Sequence, residues 1–232
     1  MSHLKQNDTL IKRLCVTLFR EKHSEKACLE EANMKKRGKS KSSPTKKKVD
    51  KYNSDNKKDE SEKIECNQLF TRFASQNVGN ALILDAEDLR TTFWLKRRGF
   101  TNITVPNSFV YDDIKGDKRI TAVNSLVGDY IRDSNLKFTA VWLDYCCSFD
   151  GNAEINPQED LKLLFRKKLV KTDSTFAVTF AFRKYTRVAY VGQDEDRVRT
   201  CIENEARTNG FHAISQRTKK YKGMMLLIYK IY

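Results

Sequence analysis

The sequence predicts an α/β fold: a doubly wound, mostly parallel sheet of seven strands, closed by a C-terminal antiparallel hairpin and preceded by an N-terminal helix and a basic linker. Three observations carry this. From about residue 64, short continuous apolar runs alternate with stretches of helical periodicity, and strands that are apolar throughout belong in a sheet covered on both faces. Connections of that length cross over right-handedly, which gives the doubly wound arrangement. The last two extended runs are separated only by KKYKG, too short for a crossover, so they pair antiparallel.

Taken in order, residues 7–32 read as an amphipathic helix, because Leu10, Ile11, Leu14, Leu18 and Phe19 recur at helical spacing and Asp8 can cap the start. We assign 1–34 to this helix, 35–63 to a linker with almost no apolar residue, expected to be disordered, and 64–232 to the folded body. A short helix over 65–75 leads into a first strand, Ala81 to Asp85. A helix over 88–98 is closed by Gly99. Ile103 to Val105 forms a second strand, stopped by Pro106, and Ile120 to Val123 a third, followed by a helix near 128–133. FTAVWLD, Phe138 to Asp144, is the strongest strand. The helix Pro157 to Leu169 has Pro at its start, acids in its first turn and bases in its last, as the helix dipole favours. Phe176 to Phe182 is a fifth strand, 194–209 a helix ended by Gly210, and His212–Arg217 with Met224–Tyr232 the closing pair.

Composition narrows the function. The chain has 232 residues with 44 Lys and Arg against 30 Asp and Glu, a net charge of +14. The excess is uneven: residues 35–48 (KKRGKSKSSPTKKK) hold eight positive side chains and no negative one. No run of apolar residues is long enough for a membrane span, and no signal peptide is evident, so an intracellular setting is expected, nuclear in a eukaryote and otherwise cytoplasmic. The six cysteines form no CxxC, and His3, His23 and His212 are scattered, so no metal site is expected.

The order of elements over residues 65–232 resembles the class I, Rossmann-like, S-adenosylmethionine-dependent methyltransferases. In that family the first strand ends in an acid and runs into a glycine-rich turn over the cofactor. The counterpart here, Leu84-Asp85-Ala86-Glu87-Asp88-Leu89-Arg90-Thr91-Thr92, has Asp85 in the acid's place and no glycine. Thr91, at the helix start, either binds an anion with the free amides or simply caps the helix. Asn107 stands where a ribose-binding acid is expected, and Gly128-Asp129 is similar to the pair whose acid lies near the adenine. The resemblance thus implies S-adenosylmethionine as cofactor, held by Asp85, Glu87, Thr91, Asn107 and Asp129.

The end of the fourth strand, Asp144-Tyr145-Cys146-Cys147-Ser148, resembles two catalytic patterns of the family. Amino-group methylating enzymes carry an acid or amide and an aromatic ring there. RNA cytosine-C5 methylating enzymes carry D-x-P-C-S and take their nucleophilic thiol from the fifth strand, where this chain has VTFAF and no cysteine. Asp144 and Tyr145 are therefore the catalytic candidates. Cys146 and Cys147 read as structural thiols or as nucleophiles.

Charge points to RNA or DNA as partner, through Lys35, Lys36, Arg37, Lys46, Lys47 and Lys48 in the linker and Arg183, Lys184, Tyr185 and Arg187 after the fifth strand, where Tyr185 could stack on a base. Lys96-Arg97-Arg98 and Arg166-Lys167-Lys168 add to it. The linker also resembles a nuclear import signal, and the N-terminal helix could dock a protein partner. Three functions stay open: a nucleic-acid methyltransferase, a cofactor-free methyltransferase-like module that binds nucleic acid or a protein, and a methyltransferase of proteins or small molecules.

Overall fold

A computed structural model describes residues 61–151, 154–181, 191–221 and 223–232. The helix expected over 7–32 and the basic positions Lys35, Lys36, Arg37, Lys46, Lys47, Lys48, Arg183, Lys184, Tyr185 and Arg187 lie outside them. Helix α1 covers residues 61–74. There follow β1 (Asn80–Ile83), α2 (Arg90–Arg97), β2 (Asn102–Pro106), α3 (Tyr111–Ile114), β3 (Thr121–Val123), α4 (Val127–Asp133), β4 (Phe138–Asp144), α5 (Pro157–Arg166), β5 (Val170–Ala181), α6 (Val191–Thr208), β6 (Ala213–Tyr221) and β7 (Met224–Ile231). The seven strands form one sheet in the order β3-β2-β1-β4-β5-β7-β6. All neighbours are parallel except β7, which runs antiparallel to both β5 and β6.

The alternation of side chains along each strand sorts the core into two layers. Leu82, Val141, Leu143, Phe176, Val178 and Phe180 face α4, α5 and α6. Ala81, Ile83, Ala140, Trp142 and Ala177 face α1, α2 and α3. Trp142, fully buried, packs on Phe70 of α1 with ring centres 4.9 Å apart, and its indole Nε1 donates to Thr179 Oγ1 at 2.8 Å. The paired partner matters, because an indole N–H buried without one would be costly. Among the described residues no helix is long and apolar enough to cross a membrane.

Most differences from the sequence reading lie at element ends. Helix α1 takes in residues 61–63, so Lys63, read as linker, belongs to a helix. Strand β5 starts at Val170 rather than Phe176: Ser174 and Thr175 are buried in the ladder beside β7, and Asp173 at φ 59° takes up the shift in register. A polar KTDST has no apolar pattern to announce a strand. Strand β6 likewise runs to Tyr221, where Lys219 pairs with Glu65 of α1 and Lys220 with Glu195 of α6. Helix α5 begins as expected, with Pro157 in its first turn and Asn156 Oδ1 accepting the Glu159 amide at 3.2 Å, but stops at Arg166.

Candidate functional site at the carboxyl edge of β1, β2 and β4

Between β1 and β4 the winding reverses: the chain leaves β1 for α2 on one face and β4 for α5 on the other. The crevice outside the carboxyl ends at such a switch point is where open α/β sheets bind ligands. Asp85, Asn107 and Asp144 follow or end these adjacent strands, and each has a different fate.

Asp85 turns inward. Its carboxylate accepts the Thr92 amide at 2.8 Å and the Thr91 amide at 3.4 Å, so it caps α2 from the preceding strand. Burial pushes its carboxyl up from the ordinary aspartate value, and the bonds from Thr92 and Thr91 oppose that rise. The amides that could have bound an anion are thus taken, which corrects that expectation for the start of α2. Thr91 also faces the interior, its hydroxyl donating to Asn67 Oδ1 of α1 at 2.8 Å. Its role here is to tie two helices together rather than to face a ligand. The bend that leads into α2 falls on Leu89, at φ 49° with its side chain buried. The backbone adopts a left-handed conformation that favours glycine, and burial of a leucine offsets its cost.

Asn107 supports the same loop. Its Nδ2 donates to the Asp85 carbonyl at 3.0 Å and its Oδ1 accepts the Phe109 amide at 3.0 Å. Phe109 stands exposed beside it. Glu87 and Asp88, between Asp85 and α2, are exposed carboxylates, and Asp88 pairs with Arg90. Asp129 lies exposed in the first turn of α4, paired with Arg132 at 2.5 Å. The glycine before it has a packing reason: a Cβ at Gly128 would come 2.2 Å from Asp160 Oδ1 of α5.

Asp144, half-buried, forms an ion pair with Lys63, whose ammonium also lies 5.5 Å from the centre of the Trp142 ring. Burial pulls the Lys63 pKa down, but Asp144 outweighs this and holds it above the ordinary value. Cys66, Cys146 and Tyr221 crowd the same pair. Burial raises all three groups, with the Asp144 charge adding to each, and Cys66 reaches about 11. A thiol held in that direction is a poor nucleophile, although Cys146 itself lies exposed.

Tyr145 corrects the sequence reading. It points away from the crevice into the layer under α5, fully buried, and its hydroxyl donates to Asp160 Oδ2 at 2.7 Å. A strand reverses its side chains at each step, so Asp144 and Tyr145 cannot both face one cleft. The residue that sequence reasoning missed is Lys63. Its partner is 81 positions away, and the only trace is that Lys63, Cys66 and Phe70 share one helical face.

No protein-family model matches the chain, and no curated protein matches it in sequence. In structure it is similar to Trm1 from Pyrococcus horikoshii, solved with S-adenosyl-L-methionine, with a TM-score of 0.55, 13% identity, and 72% of this chain aligned to 54% of that one. It is also similar to a SAM-dependent methyltransferase from Bacteroides fragilis in complex with S-adenosyl-L-homocysteine (TM-score 0.47, 15% identity, 70% and 76% covered). A third is the Methanococcus jannaschii fibrillarin pre-rRNA processing protein (0.45, 8%, 66% and 66%). The chain thus spans about half of Trm1 and has the class I, Rossmann-like methyltransferase fold that its strand order implies.

Proposed function

We propose that the chain is an S-adenosylmethionine-dependent methyltransferase acting on RNA or DNA. The observation that carries this is the position of Asp85, Asn107 and Asp144 at the carboxyl ends of the adjacent strands β1, β2 and β4, beside the switch point. The chemistry of the groups there fits a cationic cofactor: Glu87 offers a carboxylate and Asn107 an amide, while Asp88 is paired with Arg90 and Asp144 with Lys63. When bound, the cofactor supplies an activated methyl group, and the protein's task is alignment. Glu87 and Asn107 would hold it, with Asp85 and Thr91 fixing the loop from beneath. Asp129, further out on α4, would border the site. Asp144 would accept a hydrogen bond from the group being methylated, exchanging Lys63 for substrate.

A nucleic-acid substrate is supported by the net charge and by the basic runs of the sequence. A second reading, a cofactor-free module, is favoured by one feature: the first amides of α2 are already satisfied by Asp85. Calorimetric titration of the full chain with S-adenosylhomocysteine decides between them. Saturable heat supports the enzyme, and no heat at millimolar ligand overturns it.

A further inference from the structure

We infer that the outer face of α2 is a docking surface for single-stranded nucleic acid, where a base stacks on Phe93 and Trp94 and arginines meet the backbone. The helix is amphipathic in an unusual sense. Thr91, Thr92 and Leu95 are buried against the sheet, while Arg90, Phe93, Trp94 and Arg97, spaced at i, i+3, i+4 and i+7, share the opposite side. Phe93 is 45% exposed, so its ring contributes little to the core. Trp94 meets it edge-on at 5.6 Å, and the Arg97 guanidinium lies 5.6 Å from the Phe93 ring centre and 5.4 Å from that of Trp94. An open groove of about 300 Å³ lies beside Arg90, Phe93 and Trp94, with Ile64, Asp88 and Arg119 as its other walls and Arg97 just outside it. That volume sits at the lower end of small-ligand pockets, roughly 300–1,000 Å³, and suits one nucleotide at a time.

Charge decides the occupant. Residues 88–98 hold four basic side chains and one acid, and Arg119 lines the same groove. Asp88 pairs with Arg90, and Asp117 clamps Arg119 at 2.6 Å, so these two guanidiniums are oriented. Arg97 has no carboxylate partner among the described residues and meets only the two rings. Flat rings interleaved with guanidiniums match the two faces of a single strand, bases that stack and phosphates that pair. An acidic peptide would use the charges and leave the rings idle.

This surface extends the nucleic-acid reading above but needs no cofactor, so its test omits one. The full chain is titrated with a labelled oligouridylate at low and high salt, following anisotropy and the emission of Trp94, since the second tryptophan, Trp142, is buried. Phe93→Leu keeps an apolar side chain and removes the ring. It is expected to bind about 5- to 150-fold more weakly at every salt concentration with an unchanged salt slope. Arg97→Glu is expected to weaken binding and flatten the slope. Equal melting temperatures of the variants and wild type confirm that the fold is intact. Binding unchanged in both variants, or polyglutamate displacing the strand as well as unlabelled RNA does, overturns the inference. Quenching by a mononucleotide as tight as by the strand also overturns it. A chain that takes no S-adenosylhomocysteine yet passes this test loses the enzyme reading alone.

Discussion

Asp85 and Asp144 look alike in sequence, each an acid just after or at the end of an apolar strand, yet the fold uses them in opposite ways. Asp85 serves backbone: its two oxygens accept the Thr91 and Thr92 amides, which have no other donor-side use in that turn of helix. Asp144 serves a side chain: its partner is the Lys63 ammonium on a separate helix. Backbone amides at a helix start cannot move away, whereas a lysine on four methylenes can swing aside. One acid is built into the fold, and the other is held by a partner that can move.

The largest expected effect tests the exchangeable acid. On the proposed role, in which the acid aligns the target rather than the cofactor, Asp144→Ala should lower methyl transfer by about 100-fold or more while leaving S-adenosylhomocysteine affinity within about threefold. Transfer assays with paired calorimetry check this, and activity within a few-fold of wild type removes Asp144 from the site. For stability the order reverses. Asp85→Ala leaves two buried amides without an acceptor and should cost about 2–4 kcal/mol in urea unfolding, against about 1 kcal/mol or less for Asp144→Ala. Equal losses would erase the distinction drawn above.

The order of strands was legible because apolar runs and short connections report topology directly. FTAVWLD and the closing hairpin did so without ambiguity. The strand-end acids were legible as positions, but not as roles, since a carboxylate's partner depends on what approaches from another element. Lys63 illustrates the gap: nothing local marks it as the counterion of a residue 81 positions on. Tyr145 failed for the complementary reason. Its neighbour Asp144 faces Lys63 of α1, and strand alternation sends Tyr145 to the other side, a rule the sequence already contained. Gly128 shows how a motif can have a plain packing cause, the close approach of Asp160.

A smaller effect probes the partner of Asp144. Lys63→Met keeps the apolar stem over Trp142 and removes the charge, so the loss should be about 1 kcal/mol, near the upper end for a partly exposed pair. With the acid left uncompensated, the loss should be greater in Lys63→Met alone than in Lys63→Met combined with Asp144→Asn. A double-mutant cycle measures this, and strict additivity would show that the two groups do not interact.

A third acid completes the contrast, because Asp160 answers to neither backbone nor cation but to a buried hydroxyl. Burial lifts its carboxyl to about 6 from an ordinary 3.8, with the hydrogen bond from Tyr145 opposing the rise. The folded state therefore binds this proton more tightly than the unfolded chain does. Its contribution to stability is fully present below about pH 4 and is lost as pH rises through about 6. Asp160→Asn keeps an acceptor for the Tyr145 hydroxyl and carries no charge at any pH. Relative to wild type it should gain stability steadily between about pH 4 and about pH 6, and keep a constant advantage above that. Urea midpoints across that window, with an unchanged denaturant slope, are the measurement. Parallel pH profiles for the two proteins would mean that Asp160 is not the half-buried, proton-binding acid that its place beside Tyr145 makes it.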